Sequence, residues 1–179
     1  MRKVVITGLG AVTPLGGDLN SSWKNLISGM SGATRISRFD ATGFPCTIAC
    51  EVPLGNGQDA NDGTFNANDW VSSKDQKKID TFILYGIAAA EMALKDSGWS
   101  PKTSEDSFRS GVGIGSGIGG LASIEKTSIL LKERGPRRVS PFFIPGALIN
   151  LAAGQISIRN NFKGPNLACL LYTSDAADE

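Results

Sequence analysis

With 179 residues, 41% of them hydrophobic and 20% charged, the chain is long enough for one buried core and too apolar to be disordered. Its 18 Lys and Arg against 17 Asp and Glu leave a formal net charge of +1, which gives no long-range field to collect nucleic acid or an anionic membrane. No apolar stretch reaches the roughly 18–20 residues of a bilayer-spanning helix, so a soluble protein without membrane or nucleic-acid partners is expected.

In chain order, Lys3 to Ile6 is a short continuous apolar run that ends in glycines, the pattern of a strand buried on both faces. Thr7, Gly8, Gly10 and Pro14 interrupt it, which argues against a signal peptide. Ser21, Trp23, Leu26 and Ile27 predict a helix that stops at Gly29. Residues 55–70, rich in Gly, Asn and Asp, read as a surface excursion within the domain. A long helix is predicted from about Asp75 to Ser97, because Ile79, Phe82, Ile83, Gly86, Ile87, Ala90 and Leu94 share one helical face. Ser73 with Gln76 suggests its capping box, and Gly98 its stop.

Gly111 to Gly115, alternating with Val112 and Ile114, predicts a thin strand that something packs against closely. Leu121 to Lys132 reads as a helix, and Pro145 opens another through Leu148, Ile149, Ala152 and Ile156. The alternation of strands and helices argues for an α/β protein with a mainly parallel or mixed sheet, and no internal repeat is evident.

Cys46, Cys50 and Cys169 are an odd set without a secretory framework, which points to reduced thiols in the cytoplasm. Cys46 and Cys50 lie among Pro45, Thr47, Ile48 and Ala49, and are expected to be buried thiols rather than zinc ligands. The chain contains 0 histidines, so its chemistry must use other acid–base groups or be incomplete.

Gly115 to Gly120 fits the dinucleotide pattern G-x-G-x-x-G after a strand, so a Rossmann-type oxidoreductase is one alternative. The ribose-binding acid expected about 20 residues later is missing; Gly135, Pro136, Arg137 and Arg138 occupy that region. Gly8-Leu9-Gly10 has Thr13 at the third glycine position. Tight turns and close packing explain both segments equally well.

Four segments taken together carry a further reading: Val4-Val5-Ile6-Thr7-Gly8-Leu9-Gly10, residues 111–120, Ser140-Pro141-Phe142-Phe143-Ile144-Pro145, and Lys163-Gly164-Pro165-Asn166. The set resembles the β-ketoacyl-acyl-carrier-protein synthases, the type II condensing enzymes in particular. The resemblance implies the N-terminal part of a thiolase-like, layered α/β/α/β/α fold with a mixed sheet and packed helices. It also implies decarboxylative Claisen condensation of an acyl thioester with malonyl-acyl-carrier protein, in a homodimer without a metal or organic cofactor.

By the same resemblance Ile118 is the gate of the acyl pocket, and Phe143 reaches across the dimer interface to close the partner's pocket. An aliphatic gate between glycines is free to rotate, and a saturated chain needs a dry, apolar channel. Plain core packing of both residues is the alternative. Lys74, Lys77, Lys78, Arg137 and Arg138 align with positions that dock the acidic acyl carrier protein. The lysines fall in the first turn of the predicted long helix, where the macrodipole disfavours each cation by roughly 0.3–1 kcal/mol.

The family's mechanism uses a cysteine at a helix N-terminus and two histidines further along the chain. The resemblance puts that nucleophile nine residues after Gly164, at Thr173; Cys169 lies four residues earlier. Leu170 to Glu179 lacks the glycine and small-residue pattern that follows the cysteine in the family. The expectation is a truncated N-terminal synthase domain over 1–166 and a non-family tail over 167–179 from a reading-frame break, the chain itself being inactive. A chain-length-factor-like, carrier-binding subunit without a nucleophile is the non-enzyme alternative.

Overall fold

Asp18 starts the first helix: its carboxylate accepts a 2.9 Å hydrogen bond from the Ser21 amide and a 2.7 Å one from the Ser21 hydroxyl. Gly29, at φ +74°, turns the chain away after the last helical residue, as predicted. The computed structural model describes residues 3–55 and 63–170. In chain order these form α1 (Leu19–Ile27), β1 (Ala33–Arg35), β2 (Ile48–Cys50), α2 (Ser73–Gln76), α3 (Thr81–Ser97) and α4 (Ser104–Arg109). Beyond them come β3 (Val112–Ser116), α5 (Leu121–Arg134), α6 (Phe143–Ala147), α7 (Asn150–Arg159) and β4 (Asn166–Leu170). The chain divides into two units, Met1–Trp70 with Ala88–Gly98, and Val71–Ile87 with Trp99–Glu179.

In the first unit the predicted N-terminal strand is absent. Val4, Val5 and Ile6 are 95%, 72% and 83% exposed, because no strand among the described residues pairs with the segment and only one side of it is covered. That side is held by Gly8 and Gly10, where a Cβ would collide with the carbonyl oxygens of Ala93 and Ala89 on α3. Between them the Leu9 amide donates to Asp96 Oδ2 at 2.9 Å. Gly8-Leu9-Gly10 is thus a packing motif.

The antiparallel pair of β1 and β2, with Thr34 opposite Ala49, was not expected; three-residue strands are too short to show a period. Strand alternation turns Ile48 and Cys50 to one open face, so Cys50 is exposed rather than buried, and Cys46, ahead of the strand, is exposed as well. Of the polar excursion, residues 56–62 lie outside the described residues; the chain beyond them brings Phe65 into the unit's core at 2% exposure.

The predicted long helix, whose residues fall in both units, is two helices. The Ser72 side chain, not Ser73, caps α2 by accepting from the Asp75 amide. The backbone then breaks before Asp80, whose amide donates to the Gly146 carbonyl at 3.0 Å while its own carbonyl accepts from Ile83 and Leu84 to open α3. The apolar period runs across this break, which is why it suggested one helix. Ile83 and Ile87 are 0% exposed, and Gly98 at φ +64° stops the helix as predicted.

The helix predicted from Pro145 is likewise split. Ser140 starts α6 instead, accepting from Phe142 and Phe143, and Pro145 falls inside its first turn, where its missing N–H costs nothing. Leu148 is extended and separates α6 from α7. The strand predicted at 111–115 is β3, which pairs in parallel with β4 from Val112 opposite Asn166 to Ser116 opposite Leu170. Helices α5 to α7 form the crossover that parallel pairing needs, and α7 packs on both strands through a core of Ala152, Ala153 and Ile156. The fold is α/β with both strand senses, but the parallel and antiparallel pairs lie in separate two-stranded sheets among the described residues.

Candidate functional site

The glycine loop between β3 and α5 is where the predicted site residues meet well-defined geometry. Gly119 adopts φ +84°, which favours glycine, and a Cβ there would meet the Ala147 carbonyl oxygen at 2.7 Å. The Gly120 amide donates to that same oxygen at 2.9 Å. Within the first turn of α5, the Ser123 amide and hydroxyl both donate to Asp80 Oδ2, at 3.1 and 2.5 Å. Asp80 therefore places a carboxylate at the N-terminus of α5, where the helix dipole is positive.

That arrangement overturns the dinucleotide alternative. In a Rossmann motif the pyrophosphate occupies the helix N-terminus behind the glycines. Here a carboxylate already accepts the Ser123 amide, and Gly119 and Gly120 lie against Ala147 of α6. The acid beside the loop is thus an internal cap rather than a ribose ligand.

Ile118 sits on this loop and is 64% exposed, so it is not a core residue. Phe143 is the first residue of α6, the helix whose last residue, Ala147, holds the loop; its side chain is half-buried. The structure joins the two residues' elements through the contact of Gly120 with Ala147.

The basic residues are not placed as the sequence suggested. Lys74 lies within α2 and Lys77 caps its C-terminal end, whereas α3 starts only at Thr81. The unfavourable macrodipole position is removed, since cations at a C-terminal end are favoured. Lys78 Nζ lies 2.7 Å from Asp75 Oδ1 and 5.4 Å from the Phe142 ring centroid. This ammonium, together with the Ser72 hydroxyl, holds the Asp75 carboxyl below the usual carboxylate range. Lys74 and Lys77 are exposed, as are Arg137 and Arg138 on a 3-10 turn at Pro136–Arg138.

Thr173 lies outside the described residues, as does the tail from residue 171. Cys169 is half-buried in β4, opposite Gly115. No helix among the described residues is long and apolar enough to cross a membrane, and no group of Cys, Asp and Glu there could hold a metal ion. Sequence reasoning missed Asp80 and Ser123. An Asp directly before Thr81 is an N-terminal signal for α3, outweighed by the Ser73 and Gln76 pattern upstream.

A family model described as beta-ketoacyl synthase, N-terminal domain, matches residues 1–170. The 3-oxoacyl-[acyl-carrier-protein] synthase 2 of Rhizobium meliloti (strain 1021) is 51% identical over 177 residues, covering 99% of this chain and 41% of the relative. The enzyme of the same name from Vibrio harveyi is 47% identical over 167 residues, 93% of this chain and 38% of its own length. Among solved structures, the ishigamide ketosynthase/chain length factor aligns with a TM-score of 0.71 at 26% identity, covering 95% of this chain and 40% of that one. A type II polyketide acyl-carrier protein in complex with its ketosynthase bound to the hexaketide aligns at 0.62 and 25% identity, covering 91% and 40%. The chain thus spans about two fifths of the length of the relatives it matches.

Proposed function

The chain belongs to the beta-ketoacyl synthase family, and from that membership we propose that it forms the N-terminal part of an acyl-chain-extending enzyme. The reaction is decarboxylative Claisen condensation. An acyl group passes from its carrier to an enzyme thiol, malonyl-carrier loses CO2, and the resulting carbanion attacks the acyl thioester to give a 3-ketoacyl product and the free thiol. The observation that supports this best is the match over residues 1–170.

Within that reaction Ile118 gates the acyl pocket from its glycine loop, and Phe143 closes the partner's pocket in a cytoplasmic homodimer. Lys74, Lys77, Lys78, Arg137 and Arg138 steer an acidic acyl carrier protein toward it. The exposure of Ile118 supports a gate over a core role. Exposed Lys74, Lys77, Arg137 and Arg138 support docking; Lys78, already engaged by Asp75, contributes least.

The reacting groups are missing from these 179 residues: there are 0 histidines, and Thr173 stands at the nucleophile position. We infer that the family pattern is lost near the end of the match over residues 1–170, from about residues 167–170, through a frame break, which the nucleotide sequence tests. A cysteine codon recovered in another frame supports that reading, and an unbroken frame with independent sequence opposes it. A chimera of residues 1–166 joined to the remainder of the Rhizobium meliloti relative tests the function. Condensation of acyl- with malonyl-carrier by the chimera is the expected result; a folded but inactive chimera contradicts it.

The likeness to the ketosynthase/chain length factor supports a second reading, a subunit that binds carrier without a nucleophile. That subunit would bind acyl-carrier protein and take up no acyl group from it.

A further inference from the structure

The loop that carries Ile118 has freedom built into it and is held at both ends. Upstream, β3 fixes the chain as far as Ser116 by pairing with β4. Downstream, Gly120 and Ser123 are fixed by Ala147 and Asp80. Gly117, Ile118 and Gly119 lie between these anchors. A Cβ at Gly117 would meet nothing within 4 Å, and Gly119 sits at positive φ, so neither glycine restrains Ile118. The position of Ile118 is consequently set by the anchors.

We propose that Asp80 is a positioning residue for Ile118. It joins three elements through separate atoms. Its carbonyl opens α3, its amide holds the Gly146 carbonyl at the end of α6, and its Oδ2 holds the amide and hydroxyl of Ser123 at the start of α5. The packing around it leaves no slack. A Cβ on Gly120 would lie 2.9 Å from both Asp80 Oδ2 and the Ala147 Cα, and one on Gly146 would lie 2.6 Å from the Lys78 carbonyl oxygen. Loss of the carboxylate frees the first turn of α5, and the loop's downstream anchor moves with it. The carboxylate acts on the gate through Ser123. This inference rests on the reading of Ile118 as a gate.

The test uses the chimera with Asp80→Ala, Asp80→Asn, Ser123→Ala and Ile118→Phe. Hydrogen–deuterium exchange is monitored over residues 117–123, and kcat/KM is measured for a series from acetyl to long acyl groups. In Asp80→Ala, faster exchange confined to 117–123 is expected, with long acyl groups losing about tenfold relative to acetyl, the rate equivalent of one lost hydrogen bond to a charged group. Asp80→Asn should restore both, because one amide oxygen can accept both Ser123 donors as Oδ2 does. Ser123→Ala should show the same length dependence in weaker form, and it carries the test if Asp80→Ala does not fold.

Unchanged exchange in 117–123, or equal loss at every chain length with a graded Ile118→Phe profile, overturns the inference alone. A flat profile for Ile118→Phe overturns the gate reading and the inference with it.

Discussion

Lys78 Nζ and Asp75 Oδ1 are 2.7 Å apart, an i,i+3 ion pair that closes the C-terminal end of α2. The pair separates the three lysines into two kinds. Lys74 and Lys77 are exposed cations, whereas Lys78 is engaged by Asp75 and lies beside the Phe142 ring.

In the chimera, Lys77→Glu and the double change Arg137→Glu with Arg138→Glu should raise KM for acyl-carrier substrates several-fold while sparing small thioester mimics. The affected quantity is steering and docking of an acidic protein. Lys78→Glu should in addition lower the melting temperature, since it sets two carboxylates together at Asp75. Paired kinetics with both substrate kinds check this, and equal loss on both kinds would assign the clusters a structural role.

Replacing Ile118 by Phe should shorten the longest acyl group accepted. Overpacking a close-fitting apolar channel costs about 1–3 kcal/mol, or roughly 5–150-fold in rate, and acetyl or butyryl groups stop short of the gate. A gate, unlike a core residue, should leave the melting temperature unchanged. Uniform rate loss with a lowered melting temperature would contradict the assignment.

Two glycines give opposite expectations from one added methyl group. Gly146→Ala drives a Cβ to 2.6 Å from the Lys78 backbone carbonyl, and should destabilise by about 1–3 kcal/mol. Gly113→Ala meets nothing within 4 Å and should be neutral or stabilising by about 0.4–1 kcal/mol. Thermal unfolding of the two variants in the 179-residue chain decides this, and equal melting temperatures would count against the packing at α6.

The capping box of α4 predicts a pH dependence. The Thr103 side chain, then the Lys102 and Thr103 amides, hold the Asp106 carboxyl below its ordinary value of 3.8. A lowered folded pKa contributes stability that is fully present above the unfolded value and is lost as pH falls through the folded one. Wild type should therefore melt above Asp106→Asn near neutral pH, and the difference should shrink below about pH 4. A difference that grows toward acid would contradict the sign.

Much of the fold was legible because its signals are local. Gly29 and Gly98 end helices, and the Val112 to Gly115 alternation marks β3. What was not legible depends on contacts between distant residues. Asp80 breaks the long helix because Gly146, far along the chain, accepts its amide. The first apolar run stays exposed because burial on two faces needs two covering layers, and the described residues supply one. The roles proposed for Ile118 and Phe143 come from the family pattern alone. Asp80, which ties their elements together, is marked by no motif.

The most direct measurement of the central claim is CO2 release from malonyl-acyl-carrier protein, measured together with 3-ketoacyl product. The chimera should release one CO2 for each carbon–carbon bond formed, and only when an acyl donor is present or has already loaded the thiol. The 179-residue chain, with 0 histidines, should release none above buffer. CO2 release by the 179-residue chain, or a folded chimera that acylates without forming product, would contradict the account.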